Sequence, residues 1–342
     1  MKIVLDAYGG DNSPVANIEG AVAALKECSD LELIVTGNET EIKAELSKLS
    51  FSDFSRLEIV HAPDVITNHD SPTDAIKNKK DSSMVRALEV AKEREDVVGM
   101  VTAGSTGAAL TGAALKIGRI RGIRRPALAP VLPTVKGGWV CLIDCGANTD
   151  CKPEYLEQFA LMGTAYMRAM YGIAKPRVAL VSNGVEDKKG NELTHAAFPL
   201  LKALPINFVG NMEARDALSG DYDVLVCDGF VGNVLLKSVE GSISVLMKLI
   251  KDALHSNFRA KMGGLLIKPA LKKMLKSIGI GELAAATFLG CNKLLAKAHG
   301  SSDAKEIRTA LLQVRKMAQG KLTEHIITEM ARIETNALSA NM

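Results

Sequence analysis

Five short turns carry the residues best suited to chemistry, and each follows an apolar run. They are Asp6-Ala7-Tyr8-Gly9-Gly10-Asp11, Ala103-Gly104-Ser105-Thr106-Gly107, Asp144-Cys145-Gly146-Ala147-Asn148, Asp228-Gly229-Phe230-Val231-Gly232-Asn233 and Ala298-His299-Gly300-Ser301-Ser302. Glycine lets a backbone approach an oxyanion closely, hydroxyl groups add donors, and a helix starting beyond the turn presents free N–H groups. One such turn is ordinary, because Asp, Asn and Gly dominate turns generally. Five at strand ends point to a cleft that binds an anion.

Two segments offer mobile cations. Lys188 and Lys189 lie in Asn183–Glu192, which reads equally well as a solvated charged loop. Lys79 and Lys80 precede Asp81-Ser82-Ser83, where Asp81 or Ser82 is placed to cap a helix. The 103–107 turn lacks the Gly-Lys-Ser/Thr of a Walker A loop and is not G-x-G-x-x-G. No G-x-S-x-G elbow occurs, and His61 and His195 have no Ser or Cys partner at a catalytic spacing, so both read as structural.

The elements that must position these turns follow from the apolar runs. Strand-like segments fall at 2–7, 31–37, 57–62, 97–103, 127–133, 139–145, 177–183, 206–210, 223–228 and 293–298, with amphipathic helical stretches at 14–27, 105–118, 153–171 and 231–254. This alternation predicts an α/β fold, a mostly parallel sheet with helices on both faces. The runs near 130 and 141 are joined only by Val135-Lys136-Gly137-Gly138, too short for a crossover, so they predict an antiparallel hairpin and a mixed sheet. A terminal helix over 303–338 is expected to break at Gly320. No linker divides the chain, which reads as one unit over 1–342.

Composition narrows the class. The 342 residues are 47% hydrophobic and 24% charged, within the range of folded globular chains. A net charge of +3 and 4% aromatic residues disfavour nucleic acid as a partner. Asp6 interrupts the first apolar run too early for a signal peptide, and no uninterrupted stretch of about 20 apolar residues is present. The six cysteines form no C-x-x-C pair and no histidine completes a zinc set. The expectation is a reduced, cytoplasmic protein with no structural metal.

Taken in order along the chain, the motifs resemble one family, the phosphate acyltransferases of bacterial phospholipid synthesis (PlsX type). The resemblance is carried by Asp6–Asp11, Lys79-Lys80-Asp81-Ser82-Ser83-Met84, Ala103–Gly107, Arg125-Pro126-Ala127-Leu128, Leu142–Glu154, Gln158-Phe159-Ala160, Lys189-Gly190-Asn191-Glu192-Leu193, Gly210-Asn211 with Glu213 and Arg215, Cys227–Asn233 and Lys297–Asp303. Tyr8 stands where the family has Met, 182–186 reads Ser-Asn-Gly-Val-Glu, and 279–290 lacks a Tyr-Gly-Gly-Ala run. The resemblance implies a three-layer α/β/α fold like isocitrate dehydrogenase and phosphotransacetylase, in two intertwined lobes and a homodimer. It also implies the reaction: an acyl group passes from acyl carrier protein to inorganic phosphate, with no cofactor.

Within that reaction the turns acquire roles. The backbone of Gly104–Gly107 with Ser105 and Thr106 is the expected phosphate cradle, Lys188 or Lys189 holds phosphate or steadies charge, and Asn233 donates to the tetrahedral oxygen. Asp228 orients a lysine or accepts a proton, and His299, Gly300 and Ser301 close the anion site. The family motifs add Asp6, Gly9, Gly10, Lys80, Ser82, Asn148 and Asn191 as substrate contacts. From Leu246 to Lys276, eight Lys or Arg residues face only Asp252, interleaved with apolar residues and broken by Gly263-Gly264 and Pro269. A helical hairpin over 243–282, with Leu265, Leu266 and Ile267 in its apolar tip, suits anionic lipid. A dimer-packing pair of helices is the alternative. A long-chain acyl phosphate needs delivery to a membrane acyltransferase, which favours the inner face of the cell membrane. The competing functions are an NAD-linked hydroxyacid dehydrogenase on the same fold, a short-chain phosphotransacetylase, and a non-catalytic membrane scaffold.

Overall fold

A computed structural model describes residues 1–277 and 285–340. In chain order its strands are β1 (Lys2–Asp6), β2 (Glu32–Gly37), β3 (Leu57–His61), β4 (Val97–Thr102), β5 (Ala127–Ala129), β6 (Val131–Pro133), β7 (Trp139–Ile143), β8 (Arg177–Ser182), β9 (Asn207–Glu213), β10 (Val224–Val226), β11 (Ala285–Leu289) and β12 (Leu294–Ala298). The helices are α1 (Val15–Glu27), α2 (Glu39–Lys48), α3 (Pro72–Asn78), α4 (Ser83–Glu93), α5 (Thr106–Gly112), α6 (Pro153–Tyr171), α7 (Glu192–Ala203), α8 (Gly229–His255), α9 (Phe258–Ser277), α10 (Ala304–Gln319) and α11 (Leu322–Ala340).

The mixed α/β fold is built on two sheets, ordered β3-β2-β1-β4-β12-β11-β5 and β6-β7-β10-β8-β9. Most neighbours are parallel. In the first sheet β11 runs antiparallel to both β12 and β5. In the second, the expected hairpin pairs Val131 with Cys141, Leu132 with Val140 and Pro133 with Trp139. The single run expected over 127–133 is interrupted at Pro130, which has no N–H for a ladder. Its two halves enter different sheets. After the second sheet and α8–α9 are complete, the chain returns to the first, and β12 inserts between β4 and β11.

The central strands, such as β1, β4 and β10, are buried on both faces, as parallel sheets require, whereas the edge strands β3, β6 and β9 are only partly buried. Along β1, Ile3 and Leu5 pack into a core shared with Ile18 of α1 and Ile307 and Leu311 of α10, while Val4 points the other way, toward Val85 and Leu88 of α4. The first of these cores continues through Phe159 and Met162 of α6 to Ile143, Leu180 and Val226 of the second sheet. One apolar interior therefore couples both sheets. Capping agrees with the sequence: Ser82 caps α4, Asp303 and Glu306 form a capping box on α10, and Gly320 separates α10 from α11.

The hairpin of α8 and α9 stands away from this body. It turns at Ser256-Asn257 and not at Gly263-Gly264 or Pro269, which α9 carries inside its length, so Leu265, Leu266 and Ile267 lie within α9 and form no tip. Gly229, Gly232 and Leu235 are the buried residues of α8, whereas Phe258 and Leu266 are 78% and 80% exposed. By length and composition α8 reaches the threshold for crossing a membrane, which corrects the sequence expectation. That expectation counted uninterrupted apolar residues, whereas α8 reaches the threshold with Lys237 and Glu240 inside its apolar stretch and Lys248, Lys251 and Asp252 gathered near its end. Residues 278–282 of the expected hairpin, and 279–284 of the atypical stretch, lie outside the described residues. The following 285–289 form β11, a strand that its alanines made unrecognisable.

Candidate active site

The turns after β1, β4 and β12 meet because these strands are neighbours in the first sheet. A Cβ on Gly9 would lie 2.5 Å from the Gly104 nitrogen and 2.8 Å from Thr102 Oγ1. Gly10 adopts φ +95°, and a Cβ there would sit 2.8 Å from the Gly300 carbonyl oxygen. That oxygen accepts the Asp11 N–H at 2.7 Å. Buried Asn17 clamps the first turn, its Nδ2 donating to the carbonyls of Ala7 at 2.8 Å and Gly9 at 2.9 Å. Beneath them Thr102 Oγ1 donates to Asp6 Oδ2 at 2.7 Å and accepts the Gly104 N–H at 3.0 Å. Burial pushes the Asp6 carboxyl up, against hydrogen bonds from Ser83 and Thr102 that favour the carboxylate.

Opposite lie the turns after β7 and β10 of the second sheet. Asp228 caps α8, its Oδ1 accepting the Val231 N–H at 2.9 Å. The Gly229 N–H donates to the Asn148 carbonyl at 2.7 Å, and a Cβ on Gly232 would collide with the Asp144 carbonyl oxygen. This close approach sets the first turn of α8 against the 144–148 turn. Asn233 then faces Gly146 (φ +115°), where a Cβ would meet the Asn233 side chain at 3.8–3.9 Å.

Between the two sets of turns is a cleft of about 520 Å³. Thr106, Gly107, Lys297 and His299 line it from the first sheet, and Gly146, Asn233, Lys237 and Glu240 from the second. Leu110, Leu128, Leu132 and Leu236 give it an apolar wall. Ser105 caps α5, so the Thr106 and Gly107 N–H groups begin that helix with no intrahelical acceptor. Burial, with Lys237 adding to it, lowers the Lys297 ammonium to about 8; Asp11 opposes the shift. Its Nζ donates to the Ala103 carbonyl at 3.4 Å and to the Ala298 carbonyl. Lys237 pairs with Glu240 at 2.7 Å. Cys145 also lines the cleft, but burial pushes its thiol well above the usual range. A thiolate nucleophile is disfavoured there.

The cleft therefore gathers Thr106, Gly107, Asn233 and His299 from the expected set, with Gly104 and Ser105 in the turn that leads to them and Gly9 and Gly10 packed against that turn. Ser301 supports His299, Oγ to Nδ1 at 2.8 Å. Four expected substrate contacts are satisfied internally instead. Asp6 braces the turns after β1 and β4. Ser82 is buried as the α4 cap and donates to the Lys79 carbonyl at 2.7 Å. Asn148 ties Pro126 to Asp144 at 2.8 and 3.0 Å. Asn191 caps α7 through Thr194. Lys80 is exposed on its loop. Lys188 and Lys189 project from the turn after β8, beside β10 in the second sheet, and neither lines the cleft.

Lys297 and Lys237 are the cleft residues that sequence reasoning passed over. The signal for Lys237 was its spacing, four residues after Asn233 and so on the same helical face. Lys297 stood inside a recognised motif, yet only the insertion of β12 beside β4 brings it to the cradle.

The fold of two mixed sheets is shared with proteins of known structure. The chain aligns with a phosphotransacetylase from Streptococcus pyogenes at TM-score 0.58 and 19% identity, covering 95% of this chain and 94% of the other. A 4-hydroxythreonine-4-phosphate dehydrogenase from Klebsiella pneumoniae aligns at TM-score 0.53 and 14% identity, over 93% and 98%. These likenesses define the fold alone. Sequence is more specific. The chain matches the family model described as "Fatty acid synthesis protein" over residues 1–325. It is 46% identical over 334 residues to a phosphate acyltransferase of Clostridium acetobutylicum, covering 97% of this chain and all of the relative. The corresponding protein of Clostridioides difficile is 46% identical over 327 residues, 95% of each chain. The chain belongs to this fatty acid synthesis family of phosphate acyltransferases, and it is a transferase.

Proposed function

We propose that the chain moves a long-chain acyl group from acyl carrier protein to inorganic phosphate, giving acyl phosphate and free carrier thiol for phospholipid synthesis. The observation that carries the reading is the cleft itself. Its one wall presents Lys297, His299 and the start of α5, its other wall presents Asn233, and apolar side chains lie between them. A phosphate dianion held by Lys297 and the Thr106 and Gly107 N–H groups has an oxygen free to attack the thioester carbonyl. The carbonyl oxygen becomes an oxyanion, to which Asn233 donates. The carbon–sulfur bond then breaks, the electron pair leaves with sulfur, and the thiolate takes a proton. Asp228 keeps Oδ2 for a proton or a lysine, since Oδ1 serves the cap. Lys188 and Lys189, on the neighbouring turn after β8, stay outside the cleft and take no part in this step.

The reading extends to location and assembly. The α8–α9 hairpin, with Leu265, Leu266 and Ile267 exposed among lysines, docks peripherally on anionic lipid at the cytoplasmic face of the cell membrane. There a homodimer hands its product to a membrane acyltransferase. Phosphate-dependent release of thiol from a long-chain acyl carrier protein tests the reaction, and release at the same rate without phosphate refutes it. Loss of flotation with anionic vesicles in Leu266→Glu, with turnover in solution retained, tests the location; unchanged flotation contradicts it.

A further inference from the structure

The loop between α5 and β5 carries Arg119, Arg121, Arg124 and Arg125 with no acidic residue among them. All four are exposed. Among the described residues, none of the four guanidinium groups has a partner in an ion pair, although Glu157 senses the Arg124 charge. Arg119, Arg124 and Arg125 border an open groove of about 640 Å³ with Gly122, Ile123 and Tyr155.

This loop is held in shape. Gln158, 6% exposed on α6, accepts the Arg124 N–H through Oε1 at 2.8 Å and donates through Nε2 to the Gly122 carbonyl at 2.9 Å. Arg119 donates to the Arg124 carbonyl. Gly118 and Gly122, at φ +82° and +89°, make the turns that this shape needs. A preset loop loses little entropy on binding.

We propose that this arginine loop docks an acidic surface of the carrier protein whose acyl thioester enters the cleft. The inference rests on the carrier-bound thioester being the substrate. Two features favour a protein over lipid. Arginine forks match carboxylates in bidentate geometry, and Arg and Tyr are the residues that anchor protein interfaces. Within the arginine stretch 119–125 the apolar residues, Ile120 and Ile123, are buried at 4% and 5% exposure. Leu115, before the arginines, is the one exposed large apolar side chain of the connection, too little to anchor it in a bilayer. Its position also fits. Arg125 lies three residues before Leu128 on the cleft wall, within about 11 Å along even an extended backbone. A carrier seated on the loop is close enough for its thiol-bearing arm to enter beside Leu110 and Leu128.

The test compares the wild type with Arg121→Glu/Arg124→Glu/Arg125→Glu; Arg119 is left intact because it holds the loop. Substrates are hexadecanoyl carrier protein and hexadecanoyl-pantetheine, which lacks both protein and phosphate groups. The variant raises KM for the carrier thioester at least about tenfold, as expected for three exposed pairs each contributing a few-fold. Its kcat, its KM for phosphate and its rate on the pantetheine thioester stay at wild-type values. Added salt raises the wild-type KM for the carrier and barely moves the variant's. Unchanged KM for the carrier overturns the proposal, as does equal loss on both thioesters. Loss of anionic-vesicle binding with KM unchanged would reassign the loop to lipid. If the wild type turns over neither thioester, the functional reading fails. Anisotropy of labelled carrier protein then decides docking separately: binding lost in the variant supports it, and binding absent from the wild type or retained in the variant overturns it. The Arg→Gln triple variant gives the same direction should charge reversal impair folding.

Discussion

Replacing Lys297 separates a phosphate-binding lysine from a structural one. Its descent from 10.5 to about 8 corresponds to about 3.5 kcal/mol of net cost, chiefly burial with repulsion from Lys237 added, at roughly 1.4 kcal/mol per pH unit. In the unfolded chain the ammonium holds its proton up to about 10.5, and in the folded chain it releases it from about 8. Below pH 8 both states are protonated and the whole cost is present; between 8 and 10.5 the unfolded chain holds the extra proton, so stability rises with pH. Lys297→Met removes the buried charge and is expected to raise the melting temperature at pH 7. It also loses a charged hydrogen bond to phosphate, about 1.5–3 kcal/mol, or roughly 10- to 150-fold in kcat/KM for phosphate. In the wild type, kcat/KM for phosphate falls about tenfold per pH unit above 8, as the ammonium deprotonates. Lys297→Arg keeps its charge, so that alkaline limb disappears while binding is largely retained. Steady-state rates against phosphate from pH 6.5 to about 10, with thermal melts of the same proteins, give both readouts. A lower melting temperature for Lys297→Met with an unchanged KM for phosphate would refute the assignment, as would persistence of the alkaline limb in Lys297→Arg.

Other substitutions probe the remaining parts of the cleft. Asn233→Ala is expected to lower kcat about 10²–10³-fold with the fold intact, the usual cost of one oxyanion donor; a change within threefold would remove it from that role. Gly10→Ala forces a side chain into φ +95° against the Gly300 carbonyl, so stability falls by about 1–3 kcal/mol and KM for phosphate rises. Gly241→Ala, inside α8 where a Cβ meets nothing within 4 Å, serves as its control: KM for phosphate is unchanged and stability rises by about 0.5–1 kcal/mol, the usual gain of Ala over Gly in a helix. Cys145→Ala keeps kcat within a few-fold, because a thiol pushed so far upward is not the nucleophile; inactivation would point to an acyl-enzyme.

Much of the fold was legible because strand and helix periods alternate cleanly along the chain. α6 falls on 153–171 as read, and the hairpin at 131–141 follows from a connection too short for anything else. What could not be read was which sheet each strand joins. Pro130 divides one apolar run between two sheets, and β12 pairs with β4 across nearly two hundred residues, neither of which leaves a local mark. The site shows the same division. Gly104–Gly107 and Asn233 were found because turn chemistry is local. Asp6, Ser82, Asn148 and Asn191 carry the same residue types yet spend their polar atoms on neighbouring backbone and side chains, which only the packed structure reveals. Lys297 is the converse, an ordinary strand lysine until its strand is placed beside the cradle.

Direct attack by phosphate is tested most simply by mixing stoichiometric enzyme with long-chain acyl carrier protein in the absence of phosphate, then following thiol release and the intact mass of the enzyme. The chemistry proposed for the cleft predicts no burst of thiol and no acylated enzyme, with turnover beginning only when phosphate is added. A burst matching the enzyme concentration, with one acyl group gained by the protein, would contradict it.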